Sequence, residues 1–132
     1  MIKPSAAFEA ARSHMSGPFE LGKSDCCVSV LAAFDELHGS NLLDRMGWRP
    51  RKMSEVLQLL RRYGTYGAWV DAVLQLPRAH AFRTGDLALI PSDGPLLSAL
   101  ALRVSKREFV TKTERGSAVV VSQPVRVWTW HS

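Results

Sequence analysis

Along the chain, apolar positions recur first with a helical period and then in short, strand-like runs. Residues 5 to 14 gather Ala6, Ala7, Phe8, Ala10 and Ala11 into a short helix, broken by Ser16-Gly17-Pro18. A second helix is predicted from about Cys26 to His38, with Ser24 or Asp25 as its cap and Gly39 as its stop. Its stripe is Cys27, Val30, Leu31, Phe34 and Leu37, spaced i, i+3, i+4, i+7 and i+10. A third helix follows Pro50, with Met53, Val56, Leu57 and Leu60 inward and Gly64 at its end. A fourth runs from about Tyr66 to Leu74 and ends before Pro77.

From Gly85 the pattern changes. Asp86 to Ile90 is a compact apolar run between Thr84-Gly85 and Pro91-Ser92-Asp93-Gly94-Pro95, as a buried strand requires. Ser98 to Val104, Glu108 to Thr111, Ala118 to Val121 and Val125 to Trp130 continue as strands separated by turn-forming or charged residues. Helices followed by sequential strands define an α+β fold, with N-terminal helices packed on a C-terminal antiparallel sheet.

Composition narrows the class. The 132 residues are 46% hydrophobic and 22% charged, which suits one globular domain with its own core and excludes a disordered chain. Lys and Arg number 17 against 12 Asp and Glu, an excess that permits anionic partners and identifies none. No apolar run approaches the ~20 residues of a membrane span, and the N-terminus lacks the apolar core of a signal peptide. Cys26 and Cys27 are the only cysteines and are adjacent, so they make no secreted disulfide framework. A reduced protein made in a cytoplasm is expected.

The most informative stretch is Pro18-Phe19-Glu20-Leu21-Gly22-Lys23-Ser24-Asp25-Cys26-Cys27. It sets a cysteine in the first turn of a helix, where unpaired N–H groups and the helix dipole favour a thiolate. Cys27 falls on the apolar stripe and reads as a core residue. Cys26 lies ~100° around the helix, at the stripe's edge, and is the candidate nucleophile. The same position also suits a small buried residue, because free cysteine packs well.

Gly22-x-x-Asp25-Cys26 at a helix start, followed by Thr84-Gly85-Asp86-Leu87-Ala88-Leu89-Ile90, resembles the NlpC-type branch of the papain-like cysteine peptidase fold. A closer resemblance is to a small domain family of tailed phages and prophages. It rests on Pro18-Phe19-x-x-Gly22-x-x-Asp25-Cys26, Arg45-Met46-Gly47-Trp48, the Gly85-Asp86 strand and Val125-Arg126-Val127-Trp128. The resemblance covers roughly residues 8 to 130. It implies a protein associated with the phage tail tip or its assembly, made in the host cytoplasm and carried in the virion tail, with other tail proteins and peptidoglycan as partners. It also implies an alternative, a cysteine hydrolase cutting peptidoglycan stem peptides with Cys26 as nucleophile beside Asp25. Such an enzyme needs a histidine base, expected within Leu96 to Leu102, and that stretch holds none. The histidines are His14, His38, His80 and His131, of which His80 is the one candidate base. A catalytically silent version of the fold is the expectation.

Other patterns are weaker. Gly17 to Ser24 matches the P-loop string, with Lys23 to meet phosphates and Ser24 to hold magnesium, but a helix rather than a buried strand precedes it and Pro18 removes an amide. No cofactor is expected. No Cys-x-x-Cys or His-x-x-x-His spacing supports a metal site. Arg45, Arg49, Arg51, Lys52, Arg61 and Arg62 surround the third helix and superficially resemble a helix-turn-helix, although a solvated basic face explains them better than nucleic acid does. Trp128 and Trp130 alternate with Val127 and Thr129, which puts both indoles on one strand face, as core or interface.

Overall fold

A computed structural model describes residues 2–19, 25–93 and 96–130. Five helices come first: α1 (Pro4–Met15), α2 (Cys26–His38), α3 (Leu42–Met46), α4 (Met53–Tyr63) and α5 (Tyr66–Leu74). Five strands follow: β1 (Leu87–Pro91), β2 (Ser98–Arg103), β3 (Glu108–Thr113), β4 (Gly116–Val121) and β5 (Arg126–Trp128). All neighbouring strands are antiparallel, in the order β4-β3-β2-β1-β5. The expected α+β architecture is present.

The central helix α2 forms for the reasons visible in its sequence. The Asp25 carboxylate accepts the Val28 N–H at 2.9 Å, and Gly39 closes the helix with φ +64°, a conformation that suits a residue without Cβ. Cys27, Val30, Leu31 and Phe34 are buried as the stripe predicts, and Ser29 and Ala33 are buried beside them because α1 and α3 also pack on α2. The sheet face carrying Leu87, Leu89, Leu100, Leu102, Val110 and Trp128 completes this core. Ala88, Ile90, Ala101 and Phe109 form a smaller cluster on the other face.

Three expectations change. The short helix α3 lacked an apolar repeat long enough to reveal it, and its start is held from outside. Asp35 of α2 accepts the backbone N–H groups of Leu42 and Leu43 at 2.8 and 3.1 Å. In α4 the buried positions are Val56 and Leu59, with Leu60 and Tyr63 packed beside them, while Met53 and Leu57 are about half exposed. The helix is turned from the expected phase because only one narrow side meets the core. The last strand stops at Trp128 instead of running from Val125 to Trp130. Both indoles nevertheless reach the main core, Trp130 edge-on to Phe34 at a centroid distance of 6.5 Å.

Asp71 of α5 joins the helices to the sheet edge. It accepts from Trp128 Nε1 at 2.7 Å, from Arg126 Nη1 at 2.5 Å and from Arg78 Nη2 at 2.7 Å. The connection after α5 then runs beside β5, with Ala79 N–H donating to the Val127 carbonyl. No helix among the described residues is long and apolar enough to cross a membrane.

Candidate functional site at the start of α2

Capping by Asp25 places Cys26 at the first turn of α2, where the helix end meets β2. Cys26 is partly exposed and Cys27 buried, which agrees with their assignment by phase. The backbone of Leu100 hydrogen-bonds the Cys26 sulfur, as do the backbones of Cys27 and Cys26 itself, and these contacts favour the thiolate. Two larger effects oppose them. Desolvation comes first, and the Asp25 carboxylate second. Together they push the Cys26 thiol up to about 11. The helix N-terminus is therefore outweighed, and the sulfur stays protonated at neutral pH.

Its neighbours reinforce that state. The Cys27 thiol lies 3.8 Å from the Met46 sulfur and is pushed well up by burial, despite a hydrogen bond with Tyr66. The Tyr66 hydroxyl is itself raised, by burial first and then by Cys27 and Cys26. The site is thus a cluster of neutral, weakly polar groups roofed by an acidic cap.

The histidines are placed elsewhere. His14 Nε2 meets Glu36 at 3.3 Å between α1 and α2. His38 sits at the far end of α2, about 18 Å from Cys26 by helical rise, with Nε2 2.8 Å from the Gly85 carbonyl. His80 is exposed on the connection that flanks β5. That edge is two strands from β2, about 10 Å at the usual strand spacing. The structure brings Asp25 to Cys26 and does not bring His80 there. His131 lies outside the described residues. So do Gly22, Lys23 and Ser24, and with them most of the P-loop string.

Tyr66 is the participant that sequence reading missed. Its signal was its place at the start of α5, directly after Gly64-Thr65, where Thr65 Oγ1 caps the helix by accepting from Ala68 N–H at 3.1 Å. The Arg45-Met46-Gly47-Trp48 element also gains a meaning. Arg45 donates to the Leu74 carbonyl at 3.1 Å and covers the Trp130 ring at 5.2 Å, Met46 meets Cys27, and Gly47 turns the chain with φ +60°. In α5, the helix that follows the basic residues and would be the second helix of a helix-turn-helix, Tyr66 and Trp69 are buried, so the aromatic residues pack inward instead of facing a groove. No group of three metal-ligating side chains occurs among the described residues.

One family model matches residues 4–130, described as a domain of unknown function, DUF6950. No curated protein matches the chain.

Proposed function

The chain belongs to the DUF6950 family, and we propose that it is a catalytically silent domain of papain-like, NlpC-type architecture. In this reading it serves as a structural or binding module of a phage or prophage tail, docking on neighbouring tail subunits or on cell-wall material. The observation that carries the silent assignment is the Cys26 sulfur, held protonated by burial and Asp25 and facing the backbone of Leu100 on β2. A cysteine nucleophile requires a base within hydrogen-bond reach, and this stretch of β2 offers leucines and alanines. The order of motifs from Pro18 to Trp128 supports the tail assignment, and α2 packed on an antiparallel sheet supports the architecture.

Incubation of the purified protein with defined peptidoglycan fragments, followed by mass spectrometry, tests the silent reading. Intact fragments are expected. Cleavage that is lost in Cys26→Ser and kept in Cys27→Ser overturns it in favour of a hydrolase. That second reading is favoured by the backbone hydrogen bonds at Cys26, which resemble the start of an oxyanion-stabilising site. Tail association is tested by purifying particles induced from the host and probing them for this chain. Its exclusion from intact particles and from tail-assembly intermediates overturns the tail assignment.

A further inference from the structure

The two edges of the sheet differ. At the β5 edge the connection after α5 takes up the outer backbone groups: Ala79 N–H donates to the Val127 carbonyl at 2.8 Å, and Thr129 N–H donates to the Pro77 carbonyl at 3.0 Å. At the opposite edge, β4 pairs with β3 alone among the described residues. Ser122, just past β4, donates its N–H to the carbonyl of Arg107 at 3.1 Å. Hydrogen-bonded pairs alternate along an antiparallel ladder, so Val120 and Ala118 also bond toward β3. The N–H and C=O groups of Ser117, Val119 and Val121 therefore point outward, and no backbone partner among the described residues meets them. The end of α1 reaches only Gly116, where an added Cβ would stand 3.5 Å from the Ser16 carbonyl oxygen. Beyond it the edge is open, with Ser117 exposed, Val119 52% exposed and Val121 72% exposed.

Proteins commonly blunt such an edge with a lysine, a proline, a bulge or a very short strand. β4 has none of these. It is six residues long and pairs in unbroken register, and no charge occurs from Gly116 to Val125 in a chain that is 22% charged. The partner that fits unpaired, uncharged strand backbone is another extended strand. Within this chain the β5 edge is already filled, so copies cannot add head to tail, and β4 against β4 about a two-fold axis is the arrangement left. With the axis at Val119, each Val119 pairs with its counterpart and Ser117 pairs with Val121 of the second copy, so every outward N–H meets an outward C=O. Val119 is opposite the core residue Val110 and shares its face, so the two exposed Val119 side chains also cover each other. No like charges meet along the two strands.

We propose that the chain forms a two-fold dimer through β4, which joins two five-stranded sheets into one continuous antiparallel sheet. A six-residue edge is smaller than a standard interface of about 1,600 Å², so the dimer is weak and reversible. It does not depend on how Cys26 is read.

The test is sedimentation velocity of the intact chain across a concentration series reaching about 1 mM, the range of weak contacts. A reversible monomer–dimer equilibrium with no larger species is expected. Hydrogen exchange at the Ser117, Val119 and Val121 amides should slow as concentration rises, while the Val120 amide stays protected throughout. Val119→Lys and Val119→Glu, both at an exposed position, should each weaken the dimer at least tenfold by placing like charges across the axis. Mixing the two variants should restore it, because the charges then oppose. Val119→Pro should abolish it, since its ring replaces an outward N–H and leaves the β3 ladder intact. A chain that stays monomeric to about 1 mM overturns the proposal and leaves the edge to a strand of another protein. So does a dimer that tolerates Val119→Lys, a mixture that restores nothing, or growth beyond two copies. Should Val119→Pro fail to fold, the two charged variants still decide the matter.

Discussion

The Cys26 sulfur and the Leu100 backbone face each other across the junction of α2 and β2. The contact sets the chemistry of the site: backbone dipoles help the thiolate a little, whereas burial and the Asp25 carboxylate oppose it more. A helix N-terminus is commonly read as an activator of cysteine. Here its cap residue carries a negative charge next to the sulfur, and the electrostatic sign is reversed.

Cys26 should be slow to alkylate. With its thiol held at about 11 against an ordinary value of 9.0, the thiolate fraction at neutral pH is about a hundredfold smaller than in an unperturbed thiol. Iodoacetamide kinetics on Cys27→Ala should show a rate well below that of free cysteine at pH 7, rising steadily to about pH 11. A rate equal to that of free cysteine would contradict the geometry. The same shift affects stability. The folded state keeps the proton that the unfolded chain loses, so this contribution is full below about 9 and is lost as pH rises through about 11. Urea melts between pH 8 and 11 should show the fall, and Cys26→Ala should reduce it.

Leu100→His should change the chemistry. Position 100 is fully buried on the helix-facing side of β2, in the core shared with α2. An imidazole there supplies the base that the stretch lacks, and alkylation of Cys26 at pH 7 should quicken at least tenfold. Leu100→Phe is the control and should produce no such gain. The histidine variant should lose about 1–3 kcal/mol of stability, because it buries a polar ring.

Asp71→Ala should destabilise the sheet edge. It removes the shared acceptor of Trp128, Arg126 and Arg78 and leaves the indole N–H buried without a partner. A loss of about 2–4 kcal/mol in urea unfolding is expected, more than for a surface carboxylate. Burial alone would raise the Asp71 carboxyl, but hydrogen bonds from Arg78 and Trp128, with the charges of Arg78 and Arg126, hold it below its ordinary value. Its contribution is therefore present above the unfolded carboxylate range and lost as pH falls through the lowered value. The gap in stability between wild type and Asp71→Ala should narrow in acid.

Gly85→Ala should also be costly. Gly85 has φ +92°, and a Cβ there would stand 2.9 Å from Ile2 Cδ1 and 3.3 Å from His38 Nε2. Strain and overlap together should cost about 1–3 kcal/mol, read from thermal or urea melts. Gly17→Ala, with nothing within 4 Å of the added carbon, should cost far less.

The one-dimensional pattern determined whatever depends on neighbours along the chain. The 3.6-residue repeat from Cys27 to Phe34, the Asp25 cap and the Gly39 stop define α2, and short apolar runs between turn residues define the strands. Phase around one helix likewise separates Cys27 from Cys26. Tertiary structure decided what depends on distant segments. α3 is held by Asp35 from another helix, and α4 shows a different face because its partner covers only a narrow strip. Asp71 gathers groups from α5, β5 and the loop between them. Cys26 meets its greatest influence, desolvation, only when β2 closes over it. Local backbone preferences act over a few residues and can be read in order. Burial and electrostatics act through space, and the folded chain alone brings their partners together.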